Sequence, residues 1–261
     1  MRYKIFLSYN GSAFKGWQIQ NNAPSVQGYI QKALSTLLKG EYTITGAGRT
    51  DTDVHATRYV AHLETDSPID CDMKSLIYKL NSILPKEIVI HDFARTNDDF
   101  HARFAANRRE YRYFLHRKKD PFMNDRSYLY TFPLDINKMN EAAALLAGTR
   151  DCSCFEKSGG NSSGPVCTIY EAKWECYTPD HVRLLGYPGG EGDYLVFTVS
   201  ANRFLRNMVR AIVGTLLDVG KGKKSLEDFK KILESGDRCA AGESVPGKAL
   251  FLCDVNYPEE K

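Results

Sequence analysis

Between Tyr3 and Ala94 the hydrophobic period switches between two and 3.6 in an order that few folds accept. Tyr3 to Tyr9 alternates as a strand and ends at Asn10-Gly11. After Ser25, a helix N-cap by residue type, Val26, Ile30, Ala33, Leu34, Leu37 and Leu38 fall on one helical face, and Gly40 stops the run. Tyr42-Thr43-Ile44-Thr45 reads as a short strand and Thr57 to Thr65 as a second. Asp72 caps another helix, striped by Met73, Leu76, Ile77, Leu80, Ile83 and Leu84, with Pro85 just past its end. Glu87 to Ala94 is the fourth strand. The order β-α-β-β-α-β is the split βαβ, or ferredoxin-like, unit.

The remaining chain repeats this order with insertions. Glu110 to His116 reads as a strand, Asn137 to Leu146 as a helix, Cys167 to Tyr177 and Tyr194 to Ser200 as paired strands, and Phe204 to Val219 as the most strongly striped helix. A short helix, Ser225 to Leu233, precedes a closing strand, Ala249 to Val255. The Gly- and Ser-rich stretch Asp151 to Pro165 reads as a mobile loop. The expected class is α+β: two split-βαβ halves, 1–104 and 105–261, whose antiparallel or mixed sheets join and leave a central cleft. The halves share element order, not visible sequence.

Composition narrows the function classes. Hydrophobic content of 43% and charged content of 26% are ordinary for a globular protein. A net charge of +3 permits a nucleic-acid partner without requiring one. No apolar run approaches a membrane span, so no membrane partner is expected. The opening Met1-Arg2-Tyr3-Lys4-Ile5-Phe6-Leu7 lacks the apolar segment of a signal peptide. The seven cysteines form no Cys-x-x-Cys and scatter as reduced thiols do, so a cytoplasmic location is expected.

The chemistry concentrates between the two middle strands, in Gly46-Ala47-Gly48-Arg49-Thr50-Asp51-Thr52-Asp53-Val54-His55-Ala56. Arg49 beside Asp51 offers a phosphate clamp next to a nucleophile or base. Asp51-x-Asp53-x-His55 also contains metal-ligand residue types and partly matches the Asp-x-Asp loop of Mg-dependent phosphotransferases. That loop usually follows a strongly hydrophobic strand in a parallel sheet, whereas the strand here is short and half polar. A basic run, Arg103 to Lys119, carries Arg103, Arg108, Arg109, Arg112, Arg117, Lys118 and Lys119 with Tyr111 and Tyr113 interleaved. Basic groups neutralise phosphates and aromatic rings stack on unpaired bases, so RNA contact is expected there. On the Phe204–Val219 helix, Arg203, Asn207, Arg210 and Gly214 share the face away from the stripe. Such a face is commonly solvated; if it lines the cleft, Arg210 is a ready partner for an aspartate.

Four blocks in order resemble the tRNA pseudouridine synthase A family. They are Tyr9-Asn10-Gly11-Ser12-Ala13-Phe14-Lys15-Gly16-Trp17-Gln18-Ile19-Gln20 with Val26-Gln27, and Gly48-Arg49-Thr50-Asp51 with Val54-His55-Ala56. They continue with Phe100-His101-Ala102-Arg103 before Tyr111-Arg112-Tyr113, and with Phe204-Leu205, Asn207-Met208-Val209-Arg210 and Val213-Gly214. The chain departs from the pattern at Asp53, usually Gly, at Asn10, usually Asp, and in the loose late motif Ser244 to Leu250.

The resemblance implies the pseudouridine synthase fold and isomerisation of uridine to pseudouridine at positions 38 to 40 of the tRNA anticodon stem-loop, without cofactor or metal. It also implies a homodimer with tRNA bridging its subunits. It assigns catalysis to Asp51 and substrate binding to Tyr111, Arg49 and Arg210. Tyr111 would stack on the uracil and Arg49 would fill the vacated position or hold a phosphate. Arg210 would pair with the Asp51 carboxylate, which is costly to place in a cleft alone. Asp53 is expected to alter the loop or the substrate preference. Two rivals stand beside this reading: a non-catalytic RNA-binding protein, although no strand carries the RRM aromatic string, and the Mg-dependent phosphotransferase using Asp51 and Asp53.

Overall fold

A computed structural model describes residues 1–159 and 164–258. The chain is α+β and divides into two compact units, one of Met1–Arg109 with the chain from Phe251 onward, the other of Glu110–Leu250.

In the first unit β1 (Arg2–Tyr9) leads to α1 (Val26–Leu38), then β2 (Ile44–Gly46), β3 (His55–Glu64), α2 (Met73–Ile83) and β4 (Ile88–Thr96). β1 pairs antiparallel with both β3 and β4, and β2 pairs antiparallel with β3. The strand order 4-1-3-2 is that of the split βαβ unit, as the hydrophobic periods predict. The alternation in β1 is complete: Tyr3, Ile5, Leu7 and Tyr9 are buried and their neighbours are not. Ser25 caps α1 by accepting from Gly28 N at 3.3 Å, and Asp72 caps α2 by accepting from Ser75 N at 2.8 Å. Helix α1 ends at Lys39, with φ 58, one residue before the expected Gly40. β10 (Leu250–Asn256), the chain's last strand, pairs parallel with the start of β3, Phe251 opposite His55.

The second unit holds β5 (Arg108–His116) from Glu110 on, then β6 (Tyr128–Leu129), α3 (Ile136–Ala144), β7 (Gly148–Asp151), β8 (Val166–Cys176), α4 (Asp180–Arg183), β9 (Tyr194–Ala201), α5 (Met208–Gly220) and α6 (Leu226–Ser235). β7, β8 and β9 pair antiparallel in that order. The strand β7 was not legible in the sequence. Of the stretch expected as a mobile loop, residues 160–163 lie outside the described ones, while Cys154 and Phe155 are buried in a short 3-10 turn. Helix α5 starts four residues later than its stripe suggests, because Asn207 takes φ 63 and breaks the helical run.

One turn of the first unit is held unusually firmly. The buried His62 ring, on β3, accepts the Ala102 N–H on Nδ1 at 3.1 Å, and the Tyr257 hydroxyl donates to the Ala102 carbonyl at 2.7 Å. Burial, with His101 and Arg2 nearby, pushes the His62 pKa down from 6.5 to about 4, Glu64 acting the other way. Protonation would place N–H against N–H at Nδ1. Between these pH values the unfolded chain binds a proton that the folded one refuses, so stability is full above about pH 6.5 and is lost as pH falls towards 4. We expect the wild type to lose about 1–3 kcal/mol more than His62→Asn between pH 7 and pH 4.5 in urea unfolding; the asparagine Oδ1 can take the same N–H without titrating. Equal losses in the two proteins would contradict this account of His62.

Candidate active site

The loop between β2 and β3 carries Arg49, Thr50, Asp51 and Asp53, and side chains from the chain's opening segment fix it in place. Trp17 and Tyr59 stack with ring centroids 4.2 Å apart, and Tyr9 packs against both. Gly46 lies under this cluster: a Cβ there would sit 2.1 Å from the Tyr59 hydroxyl and 2.6 Å from the indole, so no side chain fits. The Tyr59 hydroxyl donates to the Gly48 carbonyl. The Tyr9 hydroxyl and Thr50 Oγ1 are 2.9 Å apart, and Trp17 N–H donates to the Thr50 carbonyl at 3.2 Å. Thr50 is thereby buried and gripped at both its side chain and its carbonyl, and Asp51 follows it half-buried. Arg49, on the other side of Thr50, is exposed.

Val26-Gln27 completes the brace. Gln27 N–H donates to the Trp17 carbonyl at 3.0 Å, and its side-chain amide donates to the Ile44 carbonyl at 2.9 Å, tying the start of α1 to both the opening segment and β2. This is the physical content of the motif spacing: residues of the first block are the walls of the second.

His55 is taken up structurally. It is buried, its Nδ1 accepts the Gly11 N–H at 3.0 Å, and its ring stacks on Phe251 at 4.4 Å. Asp53 has φ 66, a region glycine enters freely and aspartate tolerates better than most residues. The departure from the family's usual glycine is therefore compatible with the turn that follows Asp51.

The basic run is not one surface. The Arg109 guanidinium donates to three carbonyls of its own unit, Ala47 at 3.0 Å, Ala106 at 2.8 Å and Arg103. It ties the segment after Phe100 to the loop carrying Asp51, a role that a count of charges does not reveal. Arg112 pairs with Glu110, Lys118 with Asp193, and Arg117 donates to the Tyr130 and Phe132 carbonyls. Tyr113, expected among the base-stacking aromatics, is wholly buried with its hydroxyl donating to the Pro246 carbonyl, and burial pushes its pKa up. Tyr111 is half-buried, edge-on to Phe204 at 5.1 Å.

Tyr111 and Arg210 belong to the second unit, Arg49 and Asp51 to the first. Every residue of α5 is buried except Arg210. The face expected to be solvated is instead covered by residues 242–245. A Cβ on Gly214 would lie 1.8 Å from the Glu243 carbonyl oxygen, and Gly242 N–H donates to Thr215 Oγ1 at 2.9 Å. Arg210 Nε donates to the Val245 carbonyl at 2.7 Å, Val245 N–H returns a bond to the Arg210 carbonyl at 3.3 Å, and the Asn207 amide bonds Ser244 Oγ. The first two residues of the loose late motif, Ser244 and Val245, thus belong to the strap that seats Arg210.

If Asp53 occupies its positive φ at little cost, Asp53→Gly keeps stability within about 0.5 kcal/mol of wild type, strain relief offsetting the freer unfolded chain. Asp53→Val loses about 1–2 kcal/mol, because a β-branched residue does not accept that backbone. Urea unfolding of the two variants distinguishes them, and a valine variant as stable as wild type would contradict the assigned backbone.

Comparison with known proteins is consistent across the chain. Residues 142–258 match the family model described as tRNA pseudouridine synthase. The chain is 45% identical over 259 residues to the tRNA pseudouridine synthase A of Parabacteroides distasonis, covering 99% of this chain and 97% of that one. It is 45% identical over 261 residues to that of Bacteroides fragilis, covering 99% and 97%. A more distant relative, from Bacillus velezensis, is 39% identical over 261 residues, covering 98% and 99%.

Proposed function

The chain belongs to the tRNA pseudouridine synthase A family, and from that premise we propose that it isomerises uridine to pseudouridine at positions 38 to 40 of the tRNA anticodon stem-loop, with Asp51 as the catalytic residue. The observation that carries the assignment to Asp51 is the grip on Thr50, which fixes the backbone immediately before that carboxylate.

The reaction breaks the uracil N1–C1′ bond, turns the base, and joins C5 to C1′. The C5 hydrogen leaves as a proton and N1 gains one, so no redox partner is needed. A uridine stacked in a stem-loop hides C1′, and the nucleotide must first be extruded. Asp51 acts at the ribose, where a carboxylate can stabilise or capture a developing cation at C1′, as in glycoside hydrolysis, or remove the C2′ proton. Arg49, exposed beside it, holds a phosphate or fills the vacated place in the stack. We read Tyr111 as the residue that stacks on the uracil and Arg210, seated by its strap, as a substrate-binding cation. We extend the reading to a homodimer with tRNA bridging two copies, working in the cytoplasm.

Release of tritium from tRNA labelled at C5 of uridine tests this directly. With chelator present, wild type should release tritium, and Asp51→Asn should fall by at least about a thousandfold while still binding tRNA. Tight binding without release by wild type would favour the RNA-binding rival. Loss of release with chelator, or with Asp53→Asn alone, would favour the metal-dependent one.

A further inference from the structure

The turn after Phe100 presents an aromatic ring to solvent from a backbone fastened by several hydrogen bonds. Phe104 keeps 73% of its surface exposed. Single exposed apolar side chains are common and mean little by themselves. Three further observations distinguish this one. First, the turn is fastened at each step. His101 Nδ1 accepts the N–H groups of Arg103 and Phe104 at 3.2 and 3.3 Å, Ala105 N–H donates to the His101 carbonyl at 2.9 Å, and Ala102 is held from both sides by His62 and Tyr257. Second, the ring has charged and aromatic company: the Arg103 guanidinium lies 5.6 Å from its centroid and the His101 ring 4.3 Å from it, tilted by 33°. Third, Arg109 joins this turn to the loop carrying Asp51 through the Ala47 and Arg103 carbonyls.

A largely exposed aromatic ring on a fastened turn, next to a guanidinium, is an arrangement by which proteins hold unpaired bases: the ring supplies a stacking partner that any base can use, and the cation meets the adjoining phosphate. We propose that Phe104, flanked by Arg103 and His101, is a stacking platform for an unpaired nucleotide of the RNA substrate, distinct from the one that reacts. The inference rests on the reading of the chain as a tRNA-modifying enzyme. It gives the segment after Phe100 a substrate-binding role and explains why that segment is locked to the catalytic loop: an anchored neighbouring base fixes where the target ribose sits relative to Asp51.

The platform is tested with a synthetic anticodon stem-loop RNA and the full chain carrying Phe104→Ala, Phe104→Leu or Phe104→Trp. Stacking predicts that the alanine and leucine variants both weaken binding roughly fivefold to hundredfold, with KM for tritium release rising in step, and that the tryptophan variant restores it. Trp17 and Trp174 are each only 2% exposed, so the emission of the indole introduced by Phe104→Trp should stand apart and be quenched as the RNA saturates the protein. Wild-type affinity in Phe104→Leu, or unquenched emission from the introduced indole at saturation, would overturn the platform while leaving the catalytic reading intact. A change in sedimentation of Phe104→Ala without RNA would overturn it too, by giving the ring to a contact between protein chains. No tritium release by wild type would instead sink the reading on which the platform rests, and the platform with it.

Discussion

The grip of Tyr9, Trp17 and Tyr59 on the loop between β2 and β3 is the interaction on which the rest of the first unit's chemistry depends. A loop rich in glycine, threonine and aspartate has no reason to hold one conformation by itself. Here the Trp17 and Tyr59 rings, with Tyr9 packed against both, close over a glycine that admits no side chain. Polar groups of the same three residues reach the Gly48 and Thr50 carbonyls and the Thr50 hydroxyl. The two tyrosines suit this because their rings bury in the core while a hydroxyl remains to bond the loop, and Trp17 adds a bond from its backbone N–H. The residue immediately before Asp51 is thereby held at both its hydroxyl and its carbonyl.

The same logic recurs twice. The Arg109 fork donates to backbone carbonyls, coupling the turn that displays Phe104 to the Asp51 loop. In the second unit the strap at residues 242–245 closes over α5 and leaves Arg210 as the single residue of that helix not buried. In each case segments distant in sequence are fixed to one another by bonds made within one unit.

Much of this was legible in the chain. The alternation of Tyr3, Ile5, Leu7 and Tyr9, the caps at Ser25 and Asp72, and the stripe of α2 gave the first unit's element order, because local periodicity and capping agree with the final packing there. The four motif blocks pointed to Asp51 and Arg210 as candidates. Other features were hidden because they depend on partners distant in sequence. Arg109 reads as one more cation in a basic run until its carbonyl partners at 47, 103 and 106 are known. Tyr113 alternates with charges as a base-stacking residue would, yet strand parity turns it into the core. The polar face of α5 reads as solvated because nothing local announces that Gly214 and Gly242 let a strap lie against it. Asp53 looks disruptive by composition and is accommodated by a backbone angle that no pattern displays.

We hold that the aromatic grip sets the reactivity of Asp51, not merely the stability of its unit. The most direct measurement is the single-turnover rate of tritium release at saturating tRNA for Tyr9→Phe combined with Tyr59→Phe, which keeps both rings and removes the two hydroxyls that hold the loop. The account predicts a rate at least about tenfold below wild type with tRNA affinity within about threefold, since a small displacement of a catalytic group costs rate before binding. A wild-type rate in the doubly substituted protein would contradict it.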